Sequence, residues 1–315
     1  LDCSRNQLTS LDVSKQLSLE ELSCGENQLI ALDVTGLSQL QTLSADGNRR
    51  NVPVNAVCQL DLTTLADGFA PEFAAEDSWQ NAVCDGTLLT VTDISAEVQY
   101  DYCIDANDLE RTVRFTLVPQ AMEEDSIAID AEHFPDDAFR VYVMEKLDRN
   151  QDGMLQKSEQ EIVTELDISG CGIADLTGIE NFSNLKKLNC AENRITDLSP
   201  LPDTLTSLDC SKNAMTELDV SRFTSLTELR CRGLHLEQLD VTALSALKLL
   251  DCGDNALSGL ALRNETLEEL YCDSNQLTKL DTRRCTVLQK LYCQKNELTS
   301  ISLGSTNLTV LSCAD

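Results

Sequence analysis

Apolar and polar positions along this chain follow one short rule, repeated. Starting at Leu19 the chain reads "LEELSCGEN", with apolar residues at places one, four and six and Asn at place nine. The same nine-residue frame returns as "LKKLNCAEN" from Leu185, "LTSLDCSKN" from Leu205, "LTELRCRGL" from Leu226, "LKLLDCGDN" from Leu247, "LEELYCDSN" from Leu267 and "LQKLYCQKN" from Leu288. Partial copies stand at Leu1 ("LDCSRN") and Leu308 ("LTVLSC"), and "LQTLSADGN" from Leu40 carries Ala45 in the Cys place. Successive cysteines from Cys190 to Cys313 lie 20 or 21 residues apart. A unit this short has no inside of its own. It buries its apolar face only by stacking on copies of itself, so the spacing predicts a solenoid with one short parallel strand per coil. The second half of each coil, "LTSLDV" or "LTELDV", supplies the opposite wall.

Between residues 51 and 119 the period disappears. "TLLTVTD", "AEVQYDYC" and "RTVRFTLV" alternate apolar and polar at period two, which predicts antiparallel strands in a small module capping the first stack. Residues 120–130 read as an acidic linker. Then "AEHFPDDAFRVYVMEKL" predicts a helix, with Pro135 in its first turn, Asp136 and Asp137 at the positive end of the dipole, and Phe139, Val143 and Leu147 on one face. Coils resume at residue 166 and run to 315. The expected organisation is therefore coils over residues 1–50, a β module over 51–119, a linker, a helical cap over 131–165 and a second coil stack over 166–315.

Two side chains of the frame are assigned by geometry. Asn193, Asn213, Asn255, Asn275 and Asn296 are expected to turn inward and bond backbone groups of neighbouring coils at the bend. Leu234 breaks that rule, and a local distortion is expected there. The ladder Cys190, Cys210, Cys231, Cys252, Cys272, Cys293 and Cys313 is expected to be buried and reduced. Stacked strands sit about 4.7–4.9 Å apart, slightly more than the roughly 3.8 Å that two Cβ atoms of a disulfide want. Cys58, Cys84 and Cys103 lie outside the ladder, where one oxidised pair is conceivable.

The helix runs into "DRNQDGMLQKSE", which matches the EF-hand calcium loop. Asp148, Asn150 and Asp152 hold places one, three and five, and Gly153 makes the sharp turn. The Met154 carbonyl, Gln156 and the carboxylate of Glu159 would complete an all-oxygen set for a structural calcium ion. The loop has no second hand to pair with.

Composition narrows the function. With 53 acidic against 24 basic residues the formal net charge is −29. Such a surface repels nucleic-acid phosphates and anionic lipid. No apolar run reaches the roughly 18 residues that a membrane span needs. The two histidines, His133 and His235, have no nucleophile or ligand spacing beside them, and no Gly-rich phosphate loop is present, so no enzymatic activity is expected.

The coils and their Asn bends resemble the leucine-rich repeat: a right-handed superhelix, α/β and rich in parallel strand, here as two coil stacks separated by the β module and the EF-hand-like cap. The order of elements is more specific. "FPDDAFRVYVMEKLDRNQDGMLQKSEQEIVTELDISGCGIADLTGIENFSNLKKLNC", the coils, and "SWQNAVCDGTLLTVTDISAEVQYDYC…TVRFTLV" resemble secreted or cell-surface leucine-rich repeat proteins of anaerobic, often gut-dwelling, bacteria. That resemblance implies an extracellular adhesive or binding role, and an anaerobic habitat reconciles it with free thiols. The family's unit runs cap, coils, β module. This chain begins and stops inside coil stacks, as a cut through a longer solenoid would. The binding residues expected on the outward face of the second stack are Asp209, Arg230, Asp251, Tyr271 and Tyr292. Their partner would be a protein or a glycan. The alternative is a structural module that joins copies of itself end to end into a fibre or stalk.

Overall fold

The computed structural model describes residues 1–65, 69–108, 111–123 and 125–314. Glu124 of the acidic linker lies outside them. The chain divides into two compact units: Leu1–Ser126 with Asp148–Gln156, and Ile127–Leu147 with Lys157–Asp315.

The first unit begins with coils whose strands β1 (Glu21–Ser23) and β2 (Thr42–Ser44) pair in parallel, Leu22 against Leu43. The module that follows holds β3 (Arg49–Val54), β4 (Gln59–Asp61), β5 (Ala82–Asp85), β6 (Leu88–Val91), β7 (Val98–Cys103) and β8 (Thr112–Ala121). β4, β6 and β5 form an antiparallel sheet, and β7 pairs antiparallel with β8. β3, however, runs parallel to β8, so the module is mixed rather than antiparallel throughout. The reason is continuity. β3 leaves the last coil in the direction of the coil strands, and the Arg49 amide still donates to the Asn27 carbonyl. The module is rooted in the coils through Tyr100, whose hydroxyl donates to the Ile30 carbonyl at 2.6 Å.

The segment Asp148–Gln156, expected to belong with the second stack, packs in the first unit. Side-chain bonds explain this: Gln28 donates to Gln151, Asn51 to the Asn150 carbonyl and Gln156 to the Ala121 carbonyl. Within the segment, Met154–Leu155 form the short strand β10, numbered after β9 (Ile127–Ala128), which lies inside the expected linker.

In the second unit, α1 spans Asp137–Lys146 and α2 spans Lys157–Glu161. α1 starts later than its sequence suggests. Asp136, not Pro135, sets the boundary, because its carboxylate accepts the Phe139 amide and also the Ala174 and Asp175 amides of the first coil. Phe139 and Val143 are fully buried. Eight parallel strands then stack in one sheet: β11 (Glu165–Asp167), β12 (Lys187–Asn189), β13 (Ser207–Asp209), β14 (Glu228–Arg230), β15 (Leu249–Asp251), β16 (Glu269–Tyr271), β18 (Lys290–Tyr292) and β20 (Val310–Ser312). β17 (Lys279–Thr282) and β19 (Ser300–Leu303) pair on the opposite wall. Each strand of the large sheet is three residues long, with its central Leu facing in, as Leu188, Leu208, Leu229, Leu250 and Leu270 do. The leucine-rich repeat solenoid expected from the spacing is the observed fold. Its coils carry no α-helix among the described residues: their second halves are extended segments closed by turns, so the α/β element of the expectation is confined to α1 and α2.

The bend asparagines do what their spacing predicts. Asn213 donates from Nδ2 to the carbonyls of Cys190 and Cys210, at 2.9 and 3.0 Å, and its Oδ1 accepts the Ile195 amide. Asn193, Asn255, Asn275 and Asn296 likewise reach the cysteine carbonyl of their own coil. The residue before each is left-handed, as at Lys212, Asp254 and Ser274 (φ 54, 54 and 55). At the exception, Gly233 precedes Leu234 and His235 is left-handed as well (φ 61), which is the expected distortion.

All fourteen cysteines are free, Cys58, Cys84 and Cys103 among them. Cys190, Cys210, Cys231, Cys252, Cys272 and Cys293 are buried as a ladder. Cys313 departs from the expectation and is exposed, beside β20 at the edge of the sheet formed by the described residues.

Candidate functional site

The outward face of the eight-stranded sheet is built by register. Asp209 pairs with Arg230, Arg230 with Asp251, Asp251 with Tyr271, and Tyr271 with Tyr292. The five expected binding residues therefore form one continuous row, each half-buried by its neighbours. The two tyrosine rings stack, with centroids 4.8 Å apart and planes 6° from parallel. Tyr271 is further fixed by donating to Glu269 at 2.7 Å, and Glu269 also meets Lys290 at 2.8 Å. The Glu269 carboxylate beside it pushes the Tyr271 phenol up to about 12, so it remains a neutral donor. Arg230 pairs with Glu228 at 3.0 Å.

One residue of this face carries more than the sequence reading gave it. Arg232 spans three coils, bonding Asp251 (3.1 Å) and, through both terminal nitrogens, Asp273 (2.6 and 3.2 Å). The bonds to Asp273 and Asp251 outweigh burial and raise the guanidinium above its ordinary value. The staple needs Gly253: a Cβ there would lie 2.2 Å from Arg232 Nη2. The signal was present in the seventh column of the coils, where Arg232, Gly253 and Asp273 succeed one another in register. Lys187–Glu165, Lys212–Glu192 and Lys248–Glu268 add further ion pairs between adjacent coils.

On the second halves of the coils, Asp12, Asp33, Asp219, Asp240 and Asp281 each accept the amide two residues ahead, and Asp167, which lies instead in β11 of the large sheet, does the same. These carboxylates are turn caps, which is how a column of like charges is tolerated.

The EF-hand-like loop holds two buried carboxylates, Asp148 (4% exposed) and Asp152 (6%). Asp148 accepts the amides of Asp152 and Gly153, and Asp152 accepts that of Met154. Gly153 takes φ +81, which a side chain would resist. Asn150 Nδ2 and Gln156 Nε2 both donate to Asp152 Oδ2, at 3.0 and 2.9 Å. Rotating those two amides presents their oxygens instead, so the donor set fits a hard cation. Glu159 lies buried in the first turn of α2. Among the described residues no group of three or more His, Cys, Asp or Glu is placed to hold a metal. His133 bonds Asp130 at 2.8 Å.

Comparisons with known proteins agree with this architecture. Residues 134–255 match the family model of the leucine-rich repeat domain of the endo-beta-N-acetylglucosaminidase EndoS. Among solved structures, the functional domain of InlJ from Listeria monocytogenes, a domain that includes a cysteine ladder, superposes with a TM-score of 0.51 at 31% identity, over 62% of this chain and 48% of that one. The chain thus spans 48% of the length of that domain. Internalin C2 of the same organism superposes with a TM-score of 0.50 at 20% identity, over 60% of this chain and 99% of its own, a likeness of fold alone. No curated protein sequence matches the chain. The chain's leucine-rich repeat solenoid is similar in fold to these internalin domains.

Proposed function

We propose that the chain is a non-enzymatic binding solenoid of the adhesion type, working outside the cell or at its surface. The outward face of the eight-stranded sheet engages a protein or glycan ligand, with Asp209, Arg230, Asp251, Tyr271 and Tyr292 at its centre. The single observation that carries this reading is the stacked tyrosine pair at the end of that row. Rigid, half-exposed aromatic rings flanked by charged groups are the residue types that dominate binding energy at interfaces. The test is a surface-binding assay against extracellular proteins and glycans. Tyr271→Ala with Tyr292→Ala is expected to weaken binding by roughly 2 kcal/mol or more, about thirtyfold. Unchanged affinity for a demonstrated ligand would remove the sheet face from the mechanism.

We further propose that the loop Asp148–Gln156 binds a structural calcium ion. Its buried carboxylates and hard oxygen donors support this. Calcium at about a hundred times its Kd is expected to raise stability by roughly 2.7 kcal/mol, and Asp148→Ala to abolish that gain. Thermal unfolding with calcium and with chelator measures both, and identical curves would dismiss the ion.

A further inference from the structure

We propose that the β module of the first unit carries a second, separate site, a cavity that takes an organic cation: an alkylammonium or guanidinium group. The cavity measures about 420 Å³ and is lined by Glu72, Glu76, Trp79, Cys84, Gly86 and Thr87 with their neighbours. That is within the roughly 300–1,000 Å³ of ordinary small-ligand pockets.

Its walls follow from local structure. Two consecutive 3-10 turns, Pro71–Phe73 and Glu76–Ser78, present Glu72 and Glu76. Trp79 ends the second turn. The other wall is the tip of the β5–β6 hairpin, where Gly86 takes φ +62. The indole is a fixed platform, because it stacks on the Tyr100 ring at 4.4 Å and 18°. Tyr100 is itself fully buried and anchored to Ile30.

Charge selects the ligand. Among the described residues neither Glu72 nor Glu76 enters an ion pair, whereas Arg114, Arg222 and Arg232 elsewhere are all matched to carboxylates. The field of these groups reaches their neighbours. Burial, then Asp85 and Glu76, raise the Cys84 thiol, and Glu72 adds to the burial that raises Tyr102. Two unmatched carboxylates beside an indole repel anions and attract cations. The aromatic lining selects among cations, because an indole face prefers a weakly hydrated organic ion to a strongly hydrated metal ion.

Trp79 is the chain's one tryptophan, so its fluorescence reports this cavity alone. The intact chain is titrated with choline, with the neutral isostere 3,3-dimethyl-1-butanol, and with a lysine-containing peptide beside its lysine-acetylated form. A saturable change with choline but not the alcohol identifies a free small cation. A change with the lysine peptide but not its acetylated form identifies a partner's side chain. In either case Glu72→Gln with Glu76→Gln, exposed positions that leave the fold intact, is expected to weaken binding by about tenfold, and added salt to weaken it further. An equal response to charged and neutral probes, no response to either cation, or affinity unchanged in the double variant would each overturn the proposal. The sheet-face reading is untouched by any of these results.

Discussion

One amide side chain per coil settles several backbone groups that a tight bend would otherwise strand. Asn213 satisfies the carbonyls of two coils and receives the amide of Ile195 from the coil before. Removing it leaves buried carbonyls and an N–H without partners, each costing about 1–3 kcal/mol. Asn213→Ala is therefore expected to destabilise the second unit by roughly 3 kcal/mol in urea unfolding. Loss of less than about 1 kcal/mol would mean that water replaces the amide. At Leu234 the chain lives with the defect, because the Met215 amide has no asparagine oxygen to meet. Residues of this kind were legible in the sequence, since their role follows from place in the period alone. The reach of Arg232 was not, because periodicity places a side chain on a face without saying which of several carboxylates it will meet.

At the level of elements, three-residue strands are enough because each is one rung of a longer sheet. Their central leucines stack in register and carry the burial. What a coil cannot do alone, the Arg232 staple does across three. Gly253→Ala is expected to expel the guanidinium and cost about 1.5–3 kcal/mol, the worth of hydrogen bonds to charged groups. In an Arg232→Ala background the same change should cost far less, and that difference in a double-mutant cycle measures the staple. Additive costs would show that the glycine serves only its own backbone. Among the elements that escaped the sequence reading were β3, β4 and β5. β3 reads "RRNVPV", in which two arginines and a proline mask the alternation, and its parallel pairing with β8 is imposed by the coil it leaves. The start of α1 shifted for a comparable reason, since the triple use of the Asp136 carboxylate depends on a coil that local sequence does not contain.

For the whole molecule, the two populations of titrating groups bound a window of pH. Hydrogen bonds from Arg283 hold Asp281 down at about 2, and turn bonds to Ser221 and Thr242 lower Asp219 and Asp240. A depressed carboxylate contributes stability above its unfolded value, near 4, and loses it as the pH falls through the folded one. The ladder thiols act in the opposite direction. Burial pushes Cys190 up to about 12, and raises Cys210, Cys231 and Cys272 well above the ordinary value. Above about pH 9 the unfolded thiols ionise while the native ones keep their protons. Each such thiol then removes roughly 1.4 kcal/mol of stability per pH unit. Urea midpoints under reducing conditions are expected to fall steeply between about pH 9 and 10, and less steeply in Cys210→Ala with Cys231→Ala. Equal slopes in the two proteins would place the alkaline loss elsewhere.

The staple also has a mechanical meaning. A stack held only by neighbour-to-neighbour bonds peels one coil at a time under tension, each rupture small and alike. Arg232 couples its own coil to those of Asp251 and Asp273, so those coils share one breaking point. Pulled from either terminus in an optical trap, the second unit should yield in short regular steps interrupted by one long, strong one. That arrangement gives the stack a segment that resists until it gives way at once.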